Sequence, residues 1–166
     1  MPRRDRSPRG PEPPRWFVAT LDAMGEFARE MILAQQGQHT LLLRQQRLEE
    51  TLQVTPAPDT EAEERALLEG WARAGAAGVF RIGEAWTAEG PAGLEALRQD
   101  GTIAAMPDKG EALIIAGACP TAEALMAYRL TRHAGRLVAA ERFEPDIGLL
   151  VSLPVHDLPW PPWPRR

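Results

Sequence analysis

The sequence predicts an α+β domain, with two main helices packed on a mostly antiparallel sheet of about five strands. Three observations carry this expectation. An amphipathic repeat of about five helical turns begins at Trp16. A capping box at Thr60 opens a second helix. From residue 79 onward the pattern changes to short apolar or alternating runs separated by turn residues.

In the first helix Phe17, Leu21, Met24, Ala28 and Met31 recur at helical spacing, and Phe27 and Ile32 widen the same face. Gly37 is placed to end it as a left-handed C′ residue. Residues 40–43 and 47–54 follow. Leu48, Leu52 and Val54 fall on one alternating face, which suggests strands, whereas the run Arg44-Gln-Gln-Arg-Leu-Glu-Glu50 is made of helix formers. Both readings stay open at this point, and Pro56-Ala-Pro58 ends the segment under either.

Thr60 and Glu63 open the second helix, which turns Leu67, Leu68, Trp71 and Ala72 inward and closes at Gly75. Residues 79–87 read as a strand, with Phe80, Ile82, Glu84 and Trp86 on one face and Val79, Arg81, Gly83 and Ala85 on the other. A short helix is expected at residues 91–99, then a turn at Met106-Pro-Asp-Lys-Gly110. The run Ala112-Leu-Ile-Ile-Ala116 has no polar alternation and is expected to be buried on both faces. Residues 122–132 and 136–143 read as a hairpin turning at His133-Ala-Gly-Arg136, although Pro120-Thr-Ala-Glu123 would equally start a helix. Residues 147–153 suggest an edge strand, and from Pro154 the proline density favours an extended, polyproline-II course. The organisation expected is a disordered basic arm (1–14), one domain (15–157) and a Pro/Trp-rich tail (158–166).

Composition narrows the function classes. The chain has 166 residues, 44% hydrophobic and 25% charged, which suits one globular domain with tails. Residues 1–15 carry a net +3 and the two terminal arginines add +2, so the whole-chain −4 leaves the intervening body at −9. Such a body repels phosphate backbones, and nucleic-acid binding through the folded domain is disfavoured; only the basic N-terminal arm offers it a foothold. Cys119 is the sole cysteine, which rules out an internal disulfide and a cysteine-rich zinc site. No apolar run has signal-peptide or membrane-span character, so a cytoplasmic protein without membrane association is expected.

The strand Val79-Phe-Arg-Ile-Gly-Glu-Ala-Trp86, the segment Pro107-Asp-Lys-Gly-Glu-Ala-Leu113 and the hairpin after it resemble a group of small uncharacterised bacterial and phage proteins. The resemblance covers about residues 60–143 and implies an α+β fold on a mostly antiparallel sheet, with no activity to carry over. The paucity of lysine, the absence of asparagine and the abundance of Ala, Arg, Gly and Pro fit a GC-rich bacterial or phage coding sequence.

Candidate chemistry is sparse. Glu84 is the one candidate catalytic group: a carboxylate on an apolar face beside Trp86 is costly unless paired, with Arg129 and Arg132 as the partners in reach, or unless it lies at an exposed strand end. Trp86 and Asp108 mark a candidate ligand pocket around the 106–111 turn, a stretch that turn geometry alone also explains. His39, His133 and His156 have no zinc-motif spacing, and Ser7 and Ser152 sit in no nucleophile elbow. Neither a cofactor nor a metal is expected. Trp160 and Trp163, set among prolines, are candidate anchors for another protein or for self-association, or else they fold back on their own core. The sequence thus favours a non-catalytic interaction module, with a small enzyme or ligand-binding protein centred on Glu84 and Trp86 as the rival and a nucleic-acid-associated protein third.

Overall fold

The computed structural model describes residues 12–87, 95, 109–144 and 153–162. The expected helix at 91–99 (apart from Glu95), Asp108, the edge strand at 147–153 (apart from Leu153), Ser7, Ser152, Trp163 and most of the basic arm lie outside these residues. The elements in chain order are α1 (Arg15–Gln35), β1 (Leu41–Gln45), β2 (Gln53–Pro56), α2 (Glu61–Arg73), β3 (Gly78–Thr87), β4 (Gly110–Cys119), β5 (Ala122–His133) and β6 (Arg136–Phe143). The strands form one antiparallel sheet in the order β2-β1-β3-β4-β5-β6, one strand more than expected. No helix among the described residues is long and apolar enough to cross a membrane.

Helix α1 covers one face of the sheet. Phe17, Leu21, Met24, Ala28 and Ile32 are buried against Leu43, Phe80, Leu113, Ile115 and Tyr128. Each large apolar side chain so placed contributes about 1.5–3 kcal/mol. The Phe17 ring stacks on Phe80 at 5.7 Å between centroids, and Trp16 meets Phe17 edge-on at 5.7 Å. The helix ends one residue earlier than the glycine suggested. Gln36 takes the left-handed conformation (φ 66°) and donates its N–H to Ile32 O. Its side chain explains this: Nε2 donates to Leu33 O and Leu137 O, and Oε1 accepts from Leu137 N, so a glutamine anchored to β6 replaces the expected Gly37.

Residues 40–54 resolve as strand, turn, strand. The helix formers 46–50 lie in the turn rather than in an element, and Leu48 stands exposed there instead of sharing a strand face with Leu52 and Val54. Helix α2 begins as its capping box requires: Thr60 Oγ1 accepts from Glu63 N at 3.2 Å. It covers the opposite sheet face, where Leu68 and Ala72 pack with Leu42, Val79, Ala116 and Ala118. A buried ion pair, Arg81 Nε to Glu64 Oε2 at 2.8 Å, fastens α2 to β3. Residues 121–132 are strand, because β5 pairs along its length with β4 and with β6. The β5–β6 turn places Ala134 and Gly135 both at positive φ (49° and 77°), the twist a two-residue hairpin needs.

The C-terminal segment departs from an extended course. Residues 154–157 turn, with Asp157 at φ 52°, and Val155 and Leu158 are buried in the α2-side core.

Two outcomes test this packing. A Cβ at Gly117 would stand 2.8 Å from Phe80 Cδ1 and 3.2 Å from Phe17 Cε2, against rings that cannot yield separately. Gly117→Ala is expected to cost about 1–3 kcal/mol in urea unfolding; a smaller loss would mean the ring stack moves freely. Tyr128, the only tyrosine, is pushed above its ordinary pKa by burial and then by donating to Glu26 Oε1 at 3.1 Å. A raised pKa stabilises the fold while the phenol is protonated, and this contribution fades as pH climbs through the folded-state value. Tyrosinate absorbance should therefore rise later than in the unfolded chain and coincide with alkaline destabilisation.

Candidate functional site

Two concavities stand out among the described residues, at opposite ends of the central strands. The first is where sequence reasoning placed its candidate pocket. Glu84, Ala85, Trp86, Glu111 and Arg132 line a hollow of about 370 Å³. Its position follows from register: Trp86 pairs with Glu111 and Glu84 with Leu113, so both carboxylates and the indole lie on the α1 side of the sheet. On β3 that face is buried through Ile82 and becomes exposed at Glu84 and Trp86. The desolvation argued for Glu84 is thus largely missing, because the apolar face has ended before the strand does.

Arg132 is the partner that Glu84 acquires. It sits 3.7 Å from Glu84 Oε1 and donates from Nε to Glu111 Oε2 at 2.7 Å. Arg129 lies instead with its guanidinium 4.8 Å from the Phe143 ring centroid. The Lys109 ammonium rests 4.3 Å from the centre of the Trp86 ring. Both carboxylates of the hollow are thus already engaged by one arginine. The three histidines do not converge. His39 follows α1, His133 ends β5, and His156 Nδ1 is 2.7 Å from Glu123 Oε2.

The second concavity is a cleft of about 600 Å³ at the other end of the sheet. Five chain segments build it: Pro14 and Trp16 at the start of α1, Gln46 to Leu48 in the β1–β2 turn, Gly75 to Ala77 before β3, Pro120 and Thr121 between β4 and β5, and Trp160 to Pro162. Trp16 packs on the α1-side core and Trp160 on the α2-side core, so the cleft opens where the two cores meet around the sheet's end. Its walls are indole, proline ring and small side chains. Among the described residues, Arg47, at the rim, is the only charged one lining it, and no carboxylate does.

Local chemistry explains the shape. The chain leaves α2 through Gly75 at φ 79°, and Ala77 N donates to Gln45 O, which keeps the link short and bare of bulk. Gln45, itself buried, donates from Nε2 to Leu48 O at 3.1 Å and fixes the β1–β2 turn. Trp160 is brought in by the turn at 154–157, which is fastened by two side chains. Arg65 donates from Nη1 to Pro154 O at 3.0 Å and to His156 O, from Nη2 to Asp157 O at 2.8 Å, and from Nε to Glu69 Oε1 at 2.8 Å. The bond from Arg65, with help from Arg73, holds the Glu69 carboxyl below its ordinary range. From β5, Glu123 accepts the Asp157 N–H at 2.7 Å and contacts His156.

Of the candidate residues, Glu84 and Trp86 come together, while Trp160 lies at the cleft. Sequence reasoning missed Trp16 as a wall, and Arg65 and Glu123 as anchors. Trp16 registered only as the start of an amphipathic helix, and nothing marks Arg65 or Glu123 among so many charged residues.

The Glu84 pair is half in water, so Glu84→Gln should change stability by no more than about 1 kcal/mol. A loss of several kcal/mol in chemical denaturation would mean the pair is far more protected than its exposure indicates.

No family model, no curated protein and no solved structure matches this chain.

Proposed function

We propose that the protein is a non-catalytic interaction module whose cleft receives an extended, proline-bearing apolar segment of another protein. The observation that carries this reading is the lining of the cleft, in which Trp16 and Trp160 stand among prolines with no carboxylate among the described residues. Flat indole walls suit polyproline-II segments, which are already extended and lose little entropy on docking. Tryptophans are also the residues most often found to dominate binding energy at such surfaces. Arg47 at the rim favours a partner with an acidic residue beside its apolar stretch.

This reading gives Trp160 a different part from a projecting anchor, since its indole works as a wall supported by the α2-side core. Deleting residues 158–166 would remove Leu158 from that core along with the wall, so point changes are the cleaner test. The rival reading, a small enzyme or ligand-binding protein at Glu84 and Trp86, is weakened because Arg132 engages both carboxylates of the hollow.

The test is titration of the protein with a short synthetic peptide of alternating proline and leucine bearing one terminal aspartate, followed by tryptophan fluorescence and calorimetry. Saturable binding is expected, and Trp160→Ala should weaken it by roughly 10–30-fold, the effect of a 1.4–2 kcal/mol contact. Leu48→Asp, an exposed change that brings a carboxylate to the cleft, should weaken it as well. Binding that is indifferent to both substitutions would place the interaction elsewhere and defeat the proposal.

A further inference from the structure

We infer that residues 153–162 form a strap that opens as a unit, and that its two-point latch, Arg65 on α2 and Glu123 on β5, controls whether the cleft exists in binding-competent form. This rests on the reading of the cleft as the binding site.

The segment belongs to no helix and no strand, and among the described residues its backbone hydrogen bonds, His156 N to Leu153 O and Trp160 N to Leu158 O, stay within the segment. Among the described residues, its polar attachment to the body is made by side chains. Arg65 donates to the carbonyls of Pro154, His156 and Asp157, and Glu123 accepts from Asp157 N and meets the His156 ring. Between those two anchors, Val155 and Leu158 plug the α2-side core. A sheet strand comes away only by breaking a ladder of main-chain bonds, whereas this segment comes away by losing two polar anchors, the buried Val155 and Leu158, and the partial packing of Leu153 and Trp160.

The geometry also makes the opening all-or-none. Arg65 holds three carbonyls through one planar guanidinium, whose fork fixes their mutual positions. Asp157, at φ 52°, is gripped from both sides, its N–H by Glu123 and its C=O by Arg65. Loss of either anchor frees the turn that aims Trp160, and Trp160, Pro161 and Pro162 form one wall of the cleft. A ligand seated against that wall interacts only with the docked strap, so linkage requires that it hold the strap closed to the same degree that the latch promotes binding.

Two measurements test this. The first needs no ligand: native-state amide hydrogen exchange at Asp157 and Trp160 in the wild type, Arg65→Ala and Glu123→Ala. Each substitution is expected to speed exchange at both amides by at least about tenfold while β4 amides keep their wild-type rates. Combining the two should add little, because either alone opens the unit. Glu69→Gln, which removes the neighbouring ion pair but leaves the carbonyl bonds, should have a much smaller effect. Unchanged exchange, or equal acceleration in β4, would overturn the strap as a separate unit.

The second measurement repeats the proline–leucine peptide titration on Arg65→Ala. Weakening of about tenfold or more, together with slowed Asp157 exchange when peptide saturates the wild type, supports the coupling. Equal affinity in the two proteins overturns it. If the wild type binds no peptide, the reading of the cleft fails, and the strap is then decided by the exchange data alone.

Discussion

Strand β4 has no solvent face, and the rest of the architecture follows from that constraint. From Ala112 to Cys119 every residue is buried, with Leu113, Ile115 and Cys119 turned toward α1 and Ala116 and Ala118 toward α2. A strand wetted on neither side must be paired at both edges and roofed on both faces. Strands β3 and β5 supply the pairing over nine registered positions each, and the two helices supply the roofs. The roofs differ in kind. Helix α1 contributes a long row of large side chains, whereas the shorter α2 contributes Leu68 and Ala72 and depends on Val155 and Leu158 to complete its side. Small residues on β4's α2 side, Ala116 and Ala118, let that thinner layer sit close.

The ends of β4 are where the two concavities lie. Beyond the helix-covered zone the α1-side face runs out into water, and what stands there is a network of charge around Trp86. At the opposite end the two cores converge without a charged side chain of the described residues between them except Arg47 at the rim, leaving an apolar cleft. The two ends thus differ in the physical work already done. At the first, Arg132 satisfies the carboxylates; at the second, apolar surface remains uncovered among the described residues, and burying such surface is a driving force for association.

Much of the fold was legible because local signals and tertiary demands agreed. Thr60 and Glu63 mark a helix start that the backbone uses, and the unbroken run Ala112-Leu-Ile-Ile-Ala116 reads as a strand buried on both faces. The Ala-Gly pair after His133 sets the hairpin. Where reading failed, distant groups had overridden local ones. Gln36 ends α1 because residue 137 lies beside it, and the helix formers at 46–50 make a turn because Gln45 fastens Leu48. The cleft was illegible for the same reason on a larger scale. Its walls come from five separated stretches, and no periodicity links Trp16 to Trp160. For Glu84, alternation reveals which face a residue takes but not where the covering helix stops, so pairing with an arginine and exposure at the strand end were both open, and the structure combines them.

The strap has a consequence for how the molecule is made. A chain grows from its N-terminus, so α1 and the six described strands have all been synthesised by Phe143, and among the described residues the α1-side core is then complete in composition. The α2-side core is not, because Val155 and Leu158 come later. During that interval Leu42, Val79 and Ala118 lack part of their cover, and an emerging chain with uncovered apolar surface is open to association with others like it. The same segment that furnishes a wall for the cleft is therefore, among the described residues, the last to join the α2-side core.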